Sequence, residues 1–425
     1  MDCINIGLLG VGTVGTGVYK IVERQFEDLK HKTNCEIKIT KVLVKNKNKQ
    51  REGIDSSLLT DNWQDIVADD SIQIVVEVMG GMEPAYTYIS EALAAGKHVV
   101  TANKDLMAVR GGELMELAAS NGCDLLFEAS VAGGIPIIRP LKQCLAGNNI
   151  TEIMGIVNGT TNFILSKMTN ECMEFDEALK MAQELGYAEA DPTADVEGLD
   201  AGRKIAIMAS IAFNSRITFD DVKIEGISKI TSKDIKYARE MDCDIKLLGI
   251  ASNTEDGVEV SVNPMLIPSN HPLASVNDVF NAVYVHGDAI DDAMFMGRGA
   301  GMYPTASAVV GDIIDITRNL CFGCCGRIGC TCYKKLKIKK PEDCTSKYFL
   351  RMTVEDRPGV LAGVASVFGN NNVSIARIIQ KARSENTAEI VVITDDVRAG
   401  NFQDSLSIFN GMSMIKKICA VIHVY

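Results

Sequence analysis

Short apolar runs alternate with amphipathic stretches over the first 130 residues. Ile4–Leu9 reads as a buried strand. Gly10-Val11-Gly12-Thr13-Val14-Gly15 follows, and a helical stretch then reaches about Lys30. Further strands are expected over Ile37–Val44, Ile72–Val78 and His98–Val100, and Leu125–Glu128 closes the series. A helix is expected from Pro84 to Ala95, with proline in its first turn and Gly96 after its end. Another is expected near Glu113–Ser120. Strands alternating with helices predict an α/β fold, a Rossmann-type doubly wound parallel sheet over residues 1–130.

The pattern changes beyond that point. Val131 to Pro140 is rich in Gly and Pro, and helices over about 175–185 and 198–213 precede alternating segments at Val258–Val262 and Asn281–Val285. Residues 131–300 are read as a second, α+β domain. A Gly-rich turn, Gly297-Arg298-Gly299-Ala300-Gly301, leads into a helix around Thr305–Thr317. Residues 300–320 are therefore expected to return to the first domain. The lysine-rich stretch 333–346 reads as a linker. Residues 347–425 give the order β-α-β-β-α-β of a ferredoxin-like module. Its strands are Tyr348–Val354, Ser374–Gln380, Glu389–Thr394 and Ile418–Val424, and its helices Gly359–Asn370 and Asn401–Asn410.

The 425 residues are 47% hydrophobic and 23% charged, enough for two or three domains with a large core. A net charge of −12 argues against nucleic acid as a partner. No run of 18 apolar residues predicts a membrane span. The start of the chain has no basic leader, so no signal peptide is expected. Thirteen cysteines, an odd number with many scattered singly, fit a reducing cytoplasm better than a disulfide scaffold.

The Gly10–Gly15 fingerprint sits between a strand and a helix, the context that binds a dinucleotide. Gly10 permits the turn, Gly12 lets the backbone approach the diphosphate, and Gly15 lets helix and strand pack. After the second strand comes Lys45-Asn46-Lys47-Asn48-Lys49-Gln50-Arg51, with no carboxylate before Glu52. Lys45 and its neighbours favour NADP(H), with NAD(H) possible; the same run would also serve as a solvated basic loop. Thr101-Ala102-Asn103-Lys104 ends a strand at the carboxyl edge of the sheet, where ligands bind, which makes Lys104 a candidate cation at the reacting centre. Asp200 and Lys204 lie four residues apart on one helical face, after the acidic loop Gly186–Glu197. A lysine at the lip of an apolar helix is partly desolvated, which suits it to proton transfer. Alone, such a pair would equally be an exposed helical ion pair. Cys321, Cys324, Cys325, Cys330 and Cys332 crowd one segment. No second spaced pair completes a zinc site, so a reduced thiol-rich loop is expected. No nucleophile elbow or Walker loop supports hydrolase or kinase chemistry.

Together these stretches closely resemble the homoserine dehydrogenase family, in its form with a C-terminal ACT domain. The resemblance also rests on Glu128–Pro136, Asn158-Gly159-Thr160-Thr161-Asn162 and Glu355–Leu361. It implies reversible NAD(P)H-dependent reduction of L-aspartate 4-semialdehyde to L-homoserine, toward threonine and methionine. Carried over, Lys204 is the proton donor and Asp200 orients it and helps bind substrate. Glu189 holds the substrate ammonium, Asp195 supports the acidic pocket, and Lys104 contacts nicotinamide and substrate. Gly10, Gly12, Thr13, Val14, Gly15, Gly80, Thr101, Gly186 and Gly301 map to the cofactor. Glu128 with the carbonyls of Val131, Gly133 and Ile135 resembles the family's monovalent-cation (Na⁺) site. Gly359, Asn371 and Asn372 are candidate contacts for an amino-acid effector, threonine being the natural inhibitor. The resemblance also implies a homo-oligomer, dimer or tetramer, with residues 131–300 as its catalytic and dimerisation domain. A non-catalytic dinucleotide-binding sensor and another ACT-bearing amino- or hydroxy-acid dehydrogenase are the alternatives.

Overall fold

The computed structural model describes residues 3–384 and 386–425, residues 381–384 as backbone. The first segment runs β1 (Cys3–Leu9), α1 (Thr13–Arg24), α2 (Phe26–Thr33), β2 (Glu36–Leu43), β3 (Leu59–Thr60), α3 (Gln64–Val67) and β4 (Ile72–Glu77). It continues through α4 (Ala85–Ala94), β5 (His98–Thr101), α5 (Lys104–Ser120) and β6 (Leu125–Leu126). The middle holds β7 (Ile150–Ile156), α6 (Gly159–Glu171), α7 (Phe175–Glu184), α8 (Thr193–Val196), α9 (Leu199–Ala212) and β8 (Lys223–Ile224). After these come α10 (Ser232–Arg239), β9 (Cys243–Thr254), β10 (Gly257–Pro268), β11 (Phe280–Gly287), β12 (Asp291–Arg298) and α11 (Met302–Phe322). The last part is β13 (Thr345–Glu355), α12 (Val360–Asn370), β14 (Ile375–Ser384), β15 (Thr387–Thr394), β16 (Val397–Arg398), α13 (Ala399–Gly411) and β17 (Ile415–Val424).

The chain divides into two compact units. The first gathers residues 1–153, 203–221 and 280–336; the second gathers 154–202, 222–279 and 337–425. In the first, six strands form a parallel sheet in the order β3-β2-β1-β4-β5-β6. Apolar residues of β1 and β4 pack with Val18 and Val22 of α1 and with Ala306, Val309, Val310 and Ile313 of α11. The helix read as continuous to Lys30 breaks at Gln25, whose φ of −105° and ψ of 21° leave the helical range. Helix α5 begins nine residues before Glu113. Asn103 caps it by accepting from the Leu106 amide at 3.1 Å, and Gly111-Gly112 masks its continuity in the sequence.

In the second unit, the strands run β9-β10-β17-β13-β15-β14. Strand β17 pairs antiparallel with β13 and parallel with β10, through Met265↔His423 and Leu266↔Val424. The terminal βαββαβ module thus shares a sheet with β9 and β10. Its helical face buries Tyr348, Leu350, Met352 and Val354 against Phe368, Phe402 and Phe409. On strand β13 the alternate residue Arg351 is also buried, pairing with Asp234 of α10 at 2.8 Å and Glu389 of β15 at 3.3 Å. Helices α6 and α10 and strand β9 carry no expectation from the sequence; Asn158 and Thr231 cap the two helices.

Candidate active site

The turn between β1 and α1 follows from its glycines. Gly10 takes φ of 95° and its amide donates to the Leu43 carbonyl at 3.0 Å. A Cβ at Gly15 would fall 2.0 Å from the Gly10 carbonyl oxygen. At Gly12, by contrast, a Cβ would meet nothing within 4 Å, and no side chain caps the helix there. Space and free amides at a helix N-terminus fit a dinucleotide diphosphate. Thr13 and Val14 form the first turn of α1. Gly301 opens α11 with φ of 125°. Lys45 is exposed just past β2; Lys47 pairs with Asp61 at 2.9 Å, and Arg51 donates to the Asn46 and Lys49 carbonyls.

Glu77, unmarked in the sequence, organises the carboxyl edge of the sheet. It is fully buried at the end of β4. One oxygen accepts from the amides of Met79 (2.8 Å) and Gly80 (3.1 Å), the other from the Thr101 hydroxyl (2.6 Å). Thr101 in turn accepts from the Asn103 amide, and Asn103 donates to the Gly81 carbonyl at 2.7 Å. Gly80 and Thr101 are therefore held by one carboxylate, directly before Lys104.

Lys104 starts α5, and Lys204 lies 9% exposed in α9. Their sequence neighbours form an ion pair: Arg203 Nε reaches Asp105 Oδ1 at 2.8 Å. The Arg203 guanidinium also sits over the Phe219 ring, 4.9 Å from its centroid. This clamp brings the two lysine-bearing segments together. Asp200 precedes Lys204 by one helical turn and is buried. In the second unit, Asn158 Nδ2 donates to Asp195 at 2.6 Å and to Asp200 at 2.9 Å, while its Oδ1 caps α6 at the Thr161 amide. Asn158 thus joins two of the predicted acids. Gly186 follows α7 at φ of 75°, and Glu189 is exposed.

The Glu128 carboxylate accepts three backbone amides, from Ile137 (2.6 Å), Ile138 (2.7 Å) and Arg139 (2.8 Å). Its own amide donates to Asp312, which Arg139 also engages at 2.7 Å. Burial, together with the charge of Glu128, pushes the Asp312 carboxyl up to about 8. Val131, Gly133 and Ile135 lie in the loop this carboxylate shapes, where Ala132 and Gly133 both have positive φ. Gly359 begins α12, whereas Asn371 and Asn372 follow its end. One copy of the module therefore keeps these effector candidates on opposite ends of a helix about 16 Å long. Among the described residues, His98, Asp124 and Cys325 have ligand atoms within 4.8 Å of one another. Asp124 already accepts from Asn319 (2.9 Å) and the Gly326 amide (2.7 Å), and His98 Nδ1 accepts the Asp124 amide, so the trio anchors the thiol-rich turn. Among the described residues no helix is long and apolar enough to cross a membrane.

Residues 136–314 match the family model described as homoserine dehydrogenase. Residues 10–128 match its NAD-binding domain, and 348–409 match the ACT domain. The homoserine dehydrogenase of Bacillus subtilis is 46% identical over 98% of this chain and 97% of its own length. That of Corynebacterium glutamicum is 43% identical over 100% and 96%. A crystal structure of a Thiobacillus denitrificans homoserine dehydrogenase covers 100% of this chain with a TM-score of 0.95 and 40% identity, 99% of that chain being matched. A hyperthermophilic archaeal homoserine dehydrogenase solved in complex with NADPH matches 74% of this chain and 98% of its own, with a TM-score of 0.63 and 28% identity. With a nicotinamide-binding sheet, two clamped lysine segments and full-length relatives of one kind, this chain belongs to the homoserine dehydrogenase family of oxidoreductases acting on a CH–OH group.

Proposed function

We propose that this chain reversibly reduces L-aspartate 4-semialdehyde to L-homoserine with NADP(H) preferred over NAD(H). The reading rests above all on the Asp105–Arg203 pair, which joins the segments bearing Lys104 and Lys204. The nicotinamide, when bound, supplies or accepts the hydride at the carbinol carbon. Lys204 protonates the aldehyde oxygen as it becomes an alcohol, and removes that proton in the oxidative direction. Asp200 orients Lys204 and helps bind substrate, while Lys104 contacts the nicotinamide region and the substrate. Glu189 takes the substrate ammonium, and Asp195, fixed with Asp200 by Asn158, keeps the pocket acidic. Gly10, Gly12, Thr13, Val14, Gly15, Gly80, Thr101, Gly186 and Gly301 line the cofactor, and Lys45 faces a 2′-phosphate.

The backbone carbonyls of Val131, Gly133 and Ile135 are hard oxygen donors that suit Na⁺, with Glu128 supplying negative charge beside them. The terminal module senses an amino acid, threonine by preference, through Gly359, Asn371 and Asn372. The ends of α12 complete one effector site when two copies pair, so the active species is a homo-oligomer. Its place is the cytoplasmic route toward threonine and methionine.

Homoserine-dependent reduction of NADP⁺, followed by the absorbance of the reduced nicotinamide, is the direct test. Lys204→Ala is expected to lower kcat by at least about 10²–10⁴-fold while NADPH still binds with near-normal affinity by fluorescence. Near-normal turnover in Lys204→Ala would overturn this mechanism.

A further inference from the structure

The proposed reaction leaves unused a cavity of about 70 Å³ in the first unit. Met107 and Met115 of α5, Ile207 and Ile211 of α9, and Cys330 and Cys332 line it. Helices α5 and α9 are the two that carry Lys104 and Lys204. Cys332 Sγ reaches the Ser210 carbonyl of α9 at 3.7 Å. Cys330 is exposed and lies two residues from Cys332 in the lining of the same cavity. Two cations flank the thiols. Lys142 donates to the Gly329 carbonyl at 3.2 Å. Arg216 lies across α5 at Gly112, where a Cβ would fall 0.9 Å from its Nη1.

The hydrogen bond from Cys332, with Arg216 and Lys142 nearby, holds the Cys330 thiol well below the ordinary thiol range despite partial burial. The same bond pushes Cys332 up, so one thiol is the nucleophile and the other its resolving partner. Cys35, packed with Cys321 in the sheet's apolar cluster, lacks this character: burial raises its thiol to about 11. Burial likewise raises Cys123 and Cys325.

We propose that Cys330 and Cys332 form a redox-sensitive dithiol, closed to a disulfide by hydroperoxides, and that closure slows the dehydrogenase. The Cys330 thiolate attacks the peroxide; an S–O bond forms, the O–O bond breaks, and the departing hydroxide or alkoxide takes a proton from solvent to leave as water or alcohol. The Cys332 thiol then attacks the sulfenic sulfur, forming S–S and releasing water with its proton. The pair loses two electrons and the peroxide gains them. The disulfide takes Cys332 away from Ser210 and alters packing beneath α9, and through it Lys204. A dithiol reductant reverses the change.

The test treats the full chain with hydrogen peroxide and maps peptides by mass spectrometry. Loss of two hydrogens within the 330–332 peptide, a fall in turnover of about fivefold or more, and recovery of both with dithiothreitol are expected. Cys330→Ser should abolish the response; Cys332→Ser should stop at a sulfenic acid that dimedone traps. Alkylation of Cys330 should change less than about twofold between pH 7 and pH 9, where an ordinary thiol accelerates roughly 25-fold. A disulfide mapped to Cys35–Cys321 instead, no bond at 330–332, or an unchanged turnover once that bond has formed each overturns the proposal. The mass readout needs no homoserine, so its failure leaves the proposed dehydrogenase reading intact.

Discussion

Asn158 spends one side chain on two tasks: its oxygen caps α6, and its nitrogen holds Asp195 and Asp200. Asn158→Ala should cost about 1 kcal/mol of stability from the lost cap. It should also raise KM for homoserine by about tenfold or more, because each acid loses a charge-assisted donor. Steady-state kinetics beside thermal melts would separate the two effects; unchanged KM would remove Asn158 from the site. The Asn158–Asn162 stretch stands out in the sequence, but its job does not, since a cap and an acid-binding amide look alike there. Glu77 was illegible for another reason. A glutamate ending an apolar strand has no local signature, and its three donors come from the turn after β4 and from β5.

At the scale of elements, two glycines of one motif should behave oppositely. Gly15→Ala drives a Cβ against the Gly10 carbonyl and should lower stability by about 1–3 kcal/mol as α1 is forced off β1. Gly12→Ala meets open space, so it should melt like the parent while binding NADPH more weakly. A loss of stability in Gly12→Ala exceeding that in Gly15→Ala would contradict this account of the turn. Asp105→Asn should weaken the clamp between the starts of α5 and α9 and lower kcat several-fold, with melting barely changed because the pair is partly exposed. The regular periodicity of the strands made the parallel sheet legible. The pair of glycines inside α5 hid its first half, because helix propensity is local while the packing that sustains α5 is tertiary.

At the scale of the molecule, the second unit is welded by charge as well as by strands. Arg351 lies between Asp234 and Glu389, all three nearly or wholly buried, and Lys233 and Tyr237 also bond Glu389. Arg351→Met should cost about 3–5 kcal/mol by leaving Asp234 charged and buried without its partner. Burial would raise the Glu389 carboxyl, but the bonds from Lys233 and Tyr237 outweigh it and hold the carboxyl below its usual range. Its stabilising share is therefore complete above about pH 4.3, the unfolded value, and drains away as acid titrates the lowered folded value. Glu389→Gln should flatten the loss of stability over that acid window in urea melts. The βαββαβ order of the tail was plain from alternation alone; its union with β10 was not, because one extended strand does not announce its neighbours. That union also bears on biosynthesis. Strand β10 leaves the ribosome long before His423, and Leu266, already paired with Ile245 of β9, gains its second neighbour only when Val424 arrives. Completion of this sheet is thus a late event of translation, and a nascent chain stalled short of it would keep an open edge for chaperones to guard.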